Sequence, residues 1–223
     1  MARTIVIGDI HGCYAELLAL LEKAAFAVGD RVVAVGDLIV KGPRNKETLD
    51  LFSRDARFSS VIGNHDLAIL NFWLGQATSL KDSQDRARAE LEVEKEKYVT
   101  YLASLPFMID LGTHAVVHAG VRPGIELSDQ SASDLTELRT LGAERTNRDG
   151  TPWFDVYDGE KIILFGHWPS PKPRLAKRAI GLDTGCVYGK QLTAYILETG
   201  EFVQVPAREV YDQPSSQFLR HSP

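Results

Sequence analysis

The sequence predicts an α/β fold, and three observations carry that expectation. Short apolar, β-branched runs ending in Gly-Asp or Gly-Asn recur through the first third: "RTIVIGD", "RVVAVGD" and "SSVIGN". The segments between them have helical spacing. The runs are continuously apolar rather than alternating, the mark of strands in a sheet covered on both faces. In such sheets the carboxyl ends of the strands carry the chemistry, because side chains converge there on a crevice.

The elements follow in order. The first strand runs out at Asp9, and Tyr14 to Ala25 then places Leu17, Leu18 and Leu21 on one helical face. The second strand ends at Asp37 and the third at Asn64. Residues 67–105 read as mostly helical. Ala87, Leu91, Tyr98, Leu102 and Leu105 form a narrow apolar stripe, and the rest of 81–97 is dense in charge, as on a solvated helix. Strand-like "FMIDLG" and "HAVVHAG" come next, then a polar helical stretch around Asp134 to Leu141, then "KIILFGHW". The segment "RAIGLDTGCVYGKQLTAYILETGEFVQVPA" reads as two or three antiparallel strands with a hairpin at Glu198-Thr199-Gly200. No linker or low-complexity tract interrupts the chain. Residues 1–223 are therefore expected to form one domain with a helical insert at about 67–105.

At 223 residues the chain is long enough for one well-buried core. A formal net charge of −5 argues against a general basic surface for nucleic acid. A phosphate-rich substrate stays compatible with it, because bound metal ions supply local positive charge. Cys13 and Cys186, far apart and without secretory features, read as reduced thiols. The start "MARTIVIGDIHG" lacks a signal-peptide core, and no apolar run approaches the ~18 residues of a membrane span. The expected setting is cytoplasmic, with no membrane and no obligate protein partner.

The chemistry-bearing residues stand at the strand ends: Asp9 and His11 in "GDIHG", Asp37 in "GDLIVKGP", Asn64-His65-Asp66 in "GNHD", His118 in "VVHAG" and His167 in "FGHW". Each is flanked by glycine, which lets the backbone turn sharply and the side chains crowd together. Taken singly, an Asp at a strand end is a turn or capping residue more often than a ligand, and a lone His is more often a hydrogen-bonded core residue. Taken jointly, carboxylate, imidazole and amide form a ligand set for Mn, Fe or Zn rather than Ca. Six such groups are too many for one tetrahedral site; they suit two adjacent metals sharing a carboxylate, an arrangement used to hydrolyse phosphate esters. His114, which opens its strand, and His221, in a tail of Ser and Pro, fit no such template.

"GDIHG", "GDLIVKGP", "GNHD", "HAG" and "FGH" resemble, in order and spacing, the five signature blocks of the PPP-type metallophosphoesterases. The resemblance runs from Ile5 to about Ala207 and is strongest to the ApaH-type diadenosine tetraphosphatases and ApaH-like phosphatases, which share "GDIHGC" and an ending like "GLDTGCVYGKQLTAYIL". It implies a calcineurin-like α/β/β/α sandwich of two mixed sheets flanked by helices, with the active site at one rim. It implies that Asp9 and His11 hold a first divalent metal, that Asp37 bridges both, and that Asn64, His118 and His167 hold the second. Mn is the first expectation, with Zn, Fe or Co accepted by the same ligands. By the same likeness His65 is the general acid, Asp66 orients it, and a hydroxide bridging the metals attacks phosphorus without a covalent enzyme intermediate.

The second block departs from the protein Ser/Thr phosphatases, which read Gly-Asp-x-x-Asp-Arg-Gly there. Val40 and Lys41 replace the Asp-Arg pair. An Arg grips two phosphate oxygens at once, whereas a Lys is a mobile point charge. The cation survives with altered geometry, which points to changed specificity rather than decay. For a second phosphate-gripping residue, Arg139 is the first choice by its distance before His167, with Arg145 and Arg148 next. The segment "PSPKPRLAKR" adds Lys172, Arg174, Lys177 and Arg178, either a solvated loop or a grip for outer phosphates. Trp153, Trp168 and Tyr188 are candidates to stack a base, set against ordinary packing.

The function these features imply is phosphoanhydride hydrolysis in dinucleoside polyphosphates, diadenosine tetraphosphate giving two ADP. The likeness of the polyphosphate bridge extends this to nucleoside-capped RNA 5′ ends. The helical insert is shorter than in the bacterial tetraphosphatases, which loosens the tetraphosphate preference. Rival readings are a protein Ser/Thr phosphatase, an inorganic polyphosphatase, and a catalytically silent scaffold of the same fold.

Overall fold

The structure, a computed structural model, describes residues 2–213, so His221 lies outside it. The strands are β1 (Thr4–Ile7), β2 (Arg31–Ala34), β3 (Phe58–Ser60), β4 (Met108–Asp110), β5 (His114–Val117), β6 (Thr140–Leu141), β7 (Thr151–Pro152), β8 (Ile162–Phe165), β9 (Arg174–Ala176), β10 (Ala179–Gly181), β11 (Gln191–Ile196) and β12 (Glu201–Pro206). The helices are α1 (Tyr14–Lys23), α2 (Asn45–Arg54), α3 (Asn64–Trp73), α4 (Asp82–Leu91), α5 (Lys95–Ser104), α6 (Ala132–Glu137) and α7 (Trp153–Val156).

Two five-stranded mixed sheets face each other, in the orders β12-β11-β1-β2-β3 and β4-β5-β8-β10-β9. Within the first, β1, β2 and β3 run parallel, Ile5 opposite Val32 and Val32 opposite Phe58. The second has the same kind of parallel centre, β5 beside β8 beside β10. Every residue of β1 and β5 is buried, as a sheet covered on both faces requires. Val6, Val33, Val116, Leu164 and Leu182 fill the space between the sheets. Outside the first sheet, helices α1 to α5 close a second apolar layer that includes Leu17, Leu49, Ile69, Ala87 and Leu102. Outside the other, α6 and α7 pack around Trp153, whose indole N–H donates to the Ala119 carbonyl at 3.1 Å. The α/β/β/α sandwich expected from the sequence is the fold that forms.

Three local readings change. The two or three antiparallel strands expected over the C-terminal segment divide between sheets: β11 and β12 form the antiparallel hairpin, but β10 runs parallel to β8 in the other sheet. The polar stretch after Asp134 is helical only to Glu137, because Thr140–Leu141 pairs with Thr151–Pro152 instead. The basic segment after His167 is not all loop; Arg174–Ala176 is an edge strand hairpinned to β10. Cys13 and Cys186 are free and buried. Among the described residues no helix is long and apolar enough to cross a membrane.

Candidate metal centre

The parallel strands of both sheets end at one rim, and the predicted ligands are carried on the turns that follow. Three of them, His11, Asp37 and His167, have φ of 51°, 50° and 64°, and Val40 and Lys41 stand at 78° and 74°. Such left-handed backbone is uncommon outside glycine and costs about 1–3 kcal/mol each, more so for a β-branched Val. Neighbouring side chains hold these turns. Asp66 accepts from the Leu38 and Ile39 amides at 3.2 Å each, and Asn45 Oδ1 accepts from the Val40 amide at 2.7 Å.

Asp37 is the meeting point. Its Oδ2 lies 3.6 Å from His11 Nε2 and 3.5 Å from His118 Nε2, while Oδ1 accepts from the His65 amide at 2.9 Å. On the first side, Asp9 Oδ2 is 4.0 Å from His11 Nε2. Across the Asp37 carboxylate, Asn64 Oδ1 lies 2.9 Å from His118 Nε2 and 2.8 Å from His167 Nδ1. Asp9, Asp37 and His118 form a compact group able to hold a metal ion, and all six predicted ligands converge here.

The donor set fits a divalent cation. His118 Nδ1 faces the Val35 carbonyl at 2.8 Å and His11 Nδ1 faces the Ile39 carbonyl at 3.2 Å. Those carbonyls fix the ring protons on Nδ1, so both Nε2 atoms present bare lone pairs toward carboxylate or amide oxygen. Burial, which brings the His118 pKa down to about 4, keeps that ring neutral. Burial also raises the Asp9 carboxyl, helped by the charges of Asp183 and Asp37. Acceptors facing acceptors in a buried pocket are satisfied together when cations stand among them. One cation already does so: Lys41 Nζ lies 3.1 Å from His11 Nε2.

Asp9, His11, Asp37, Asn64 and His167 line a cavity of about 280 Å³, while His118 is fully buried and not part of its lining. Lys41, Arg139, Arg148 and His65 also line it. Arg139 reaches the His167 carbonyl at 3.3 Å and the Thr146 carbonyl at 3.2 Å, and its buried Nε finds no acceptor among the described residues. Burial, together with the Arg148 charge, lowers its pKa to about 10. Such a guanidinium is short of acceptors, as a phosphate-binding group should be.

Several expected roles find different geometry. Asp66 does not bond the His65 ring: its carboxylate takes three backbone amides, those of Leu38, Ile39 and Gly63, and is fully buried. His65 Nδ1 instead meets Gln84 Nε2 at 3.5 Å, from α4. Val40 is buried in the apolar layer beneath, leaving no acid where the protein phosphatases carry one. Arg145, Lys172 and Arg174 are not among the lining residues. Arg145 Nη1 sits 3.6 Å from Asp134, Lys172 is exposed, and Arg174 lies over the Trp168 ring at 4.9 Å and donates to the Trp168 and Pro169 carbonyls. Trp153 and Trp168 are packed in the core; of the three aromatics only Tyr188 lines the cavity, its ring 5.3 Å from Lys41 Nζ.

The sequence reading missed further lining residues. Asp183 follows β10 as Asp9 follows β1, an apolar run ended by an acid, so a signal existed; its Oδ1 is turned to the Gly185 amide at 3.0 Å. Lys81 and Ser83 come from the start of α4, and Asp212 and Gln213 from the segment after β12. That segment is tied down by Tyr211 and Asp212 amides donating to the Val187 carbonyl and by the Tyr211 hydroxyl on Glu16 at 2.7 Å. Nothing local announces those four.

A mixed-sheet sandwich with this cluster at the strand ends defines a metal-dependent phosphoesterase. The family model for calcineurin-like phosphoesterases matches residues 2–203, and the chain belongs to that family. It is 31% identical to the asymmetrical bis(5′-nucleosyl)-tetraphosphatase PrpE of Geobacillus thermodenitrificans, across 91% of this chain and 93% of the relative. The protein of Vibrio campbellii named a symmetrical bis(5′-nucleosyl)-tetraphosphatase is 28% identical, across 85% of this chain and 93% of its own length. A crystal structure presented as a candidate diadenosine tetraphosphatase superposes with a TM-score of 0.76 at 32% identity, covering 92% of this chain and 94% of the other.

Proposed function

We propose that this chain hydrolyses the phosphoanhydride bridge of dinucleoside polyphosphates at two divalent cations, Mn first among them. The observation that carries the reading is the Asp37 carboxylate, one oxygen of which stands 3.6 Å from His11 and 3.5 Å from His118, which the sequence resemblance assigns to different ligand sets. Asp9 and His11 would hold one ion, Asn64, His118 and His167 the other, and Asp37 both. Divalent ions so held withdraw charge from phosphate oxygens and make water a nucleophile near neutral pH.

The chain's own groups do the rest. Lys41 and Arg139 flank the cluster and offer charge-assisted hydrogen bonds to the oxygens of the attacked phosphoryl group. His65, held by Gln84 on one ring nitrogen, offers the other to the leaving oxygen. A point-charge Lys41 in place of an Arg clamp suits a flexible polyphosphate better than a rigid phosphopeptide. A tetraphosphate bridge breaks at its centre into two ADP, or at an outer bond into AMP and ATP. The relatives with 28–31% identity named asymmetrical favour the unequal products over the equal split implied by the sequence resemblance. Nucleoside-capped RNA carries the same bridge and is the second substrate to try. The test is a panel of diadenosine tetraphosphate, capped RNA, inorganic polyphosphate and a phosphopeptide with Mn, Co or Zn. Diadenosine tetraphosphate should give the highest kcat/KM and yield AMP with ATP; a phosphopeptide turned over faster would refute the reading. A silent scaffold would leave even p-nitrophenyl phosphate intact with every metal.

A further inference from the structure

The residues lining the cavity differ in character, and the difference bears on which phosphorus is attacked. One wall is built by the start of α4. Gln84 is buried and reaches His65 Nδ1 at 3.5 Å, while its Oε1 accepts from the Lys81 amide at 3.0 Å. That short relay ties the start of α4 to His65, and Lys81 and Ser83 from the same turn both line the cavity. Lys81 is exposed and makes no ion pair among the described residues. The lining beyond Lys41 is mixed in charge, with Arg139 and Arg148 standing near Asp183 and Tyr188. Beyond Lys41 stands Tyr188, and beyond Tyr188 the Asp212 carboxylate with Gln213, a neighbourhood in which Asp183 adds a second acid.

From this we propose that Lys81 and Ser83 form the site for the phosphates of the leaving group, so that attack falls on the phosphorus bearing a nucleoside and the rest of the bridge departs across α4. The inference rests on the dinucleoside polyphosphate reading above and fixes its polarity. A group that leaves past His65 must pass to the wall where His65 stands, and that wall carries the uncommitted ammonium. Near Tyr188, the Asp212 carboxylate, the Gln213 amide and the phenol suit the hydroxyls and base edge of a nucleoside, with Arg139 and Arg148 in the same lining for its phosphate. In the balanced step, water oxygen bonds to the nucleoside-bearing phosphorus and the P–O bond to the bridging oxygen breaks. The bridging oxygen leaves with ATP, taking its proton from the His65 ring; AMP keeps the water oxygen, and the proton that water sheds passes to solvent, from which the ring is reprotonated.

Hydrolysis of diadenosine tetraphosphate in ¹⁸O-water, with products resolved by mass spectrometry, reads this directly. The label should appear in AMP. Label in ATP, or two labelled-and-unlabelled ADP, would overturn the proposal. Lys81→Ala and Ser83→Ala supply the second arm. Lys81→Ala should lower kcat/KM for diadenosine tetraphosphate by about tenfold, the loss of one charge-assisted contact. The same variant should stay within about twofold of the parent on thymidine 5′-p-nitrophenyl phosphate, whose leaving group has no phosphate. Equal losses on both substrates would overturn the assignment. If the parent enzyme cleaves the p-nitrophenyl ester but leaves diadenosine tetraphosphate intact, the substrate reading itself fails and the inference with it; turnover with label in ATP removes the inference alone.

Discussion

Gly166→Ala should unload the metal centre while leaving the fold standing. Gly166 precedes His167, and a Cβ placed on it would stand 1.9 Å from Asp9 Oδ1 and 2.6 Å from Val35 Cγ2. An ordinary carbon–oxygen contact is roughly 3.3 Å, so the Asp9 carboxylate must retreat by about 1.4 Å. Metal–ligand distances tolerate only about 0.2 Å. The same carboxylate accepts from the His167 amide at 3.2 and 3.1 Å, so its retreat also loosens the turn that carries a second ligand. Overpacking of this kind costs about 1–3 kcal/mol in stability. For a chain of this size that lowers the Tm of the metal-free protein by about 2–12 °C. Metal content after gel filtration, isothermal titration with Mn²⁺, and thermal unfolding in chelator together give the answer. The expected result is a folded variant with less than one ion per chain against the two proposed for the parent, and turnover reduced by at least about 100-fold. Two ions retained with kcat/KM within threefold of the parent would refute the reasoning, because Asp9 would then have moved without consequence.

Two further predictions separate structural from catalytic roles. Asp66→Asn leaves one of three buried backbone amides without an acceptor, a loss of about 1–3 kcal/mol, and should appear as a lower Tm with an unchanged pH profile of kcat; an unchanged Tm with a shifted profile would instead restore Asp66 as partner of His65. Far from the site, the Arg3 guanidinium hydrogen-bonds Asp30 and, with two backbone amides, brings its carboxyl down to about 2. A depressed carboxyl contributes stability that is complete above the unfolded pKa near 4 and is lost as pH falls toward 2, about 2 kcal/mol in all. Asp30→Asn should therefore unfold earlier than the parent at pH 6 and show no further relative loss between pH 4 and 2, as followed by circular dichroism.

The clustering of the candidate ligands was legible because each follows its strand closely, and a buried parallel strand is the easiest element to see in a sequence. Adjacency misled where two neighbours on a helix face different ways. His65 and Asp66 are consecutive in α3, so their side chains diverge by about 100°. His65 turns to the cavity while Asp66 turns back to the Gly63 amide at 3.1 Å, the reciprocal half of a capping box. The Gly-x-x-Asp spacing in "GNHD" was the available sign. The edge strand Arg174–Ala176 was hidden for another reason: prolines before it and cations in and just after it are what edges carry to avoid pairing with other chains, and they read as loop. Lys81, Ser83, Asp212 and Gln213 were beyond reach of any local pattern, since only tertiary packing brings α4 and the segment after β12 to the same rim.

The strained turns give the site its last physical property. His11, Asp37 and His167 hold left-handed backbone without glycine's freedom, and Val40 does so although its branched side chain disfavours it. A ligand loop in that state relaxes unless its amides are committed elsewhere. Here Asp66 and Asn45 commit them, and Asn45 is itself fixed by Glu90 Oε2 at 2.6 Å from α4. The fixing groups therefore come from α2, α3 and α4, outside the sheets, and they act on the loop that carries Asp37 and Lys41. A helix layer that bolts the Asp37 loop in place also supplies Gln84 against His65 and Lys81 at the rim. Ligand geometry and the proposed leaving-group wall are thus set by the same helices, and a change that shifts α4 should disturb metal affinity and leaving-group preference together.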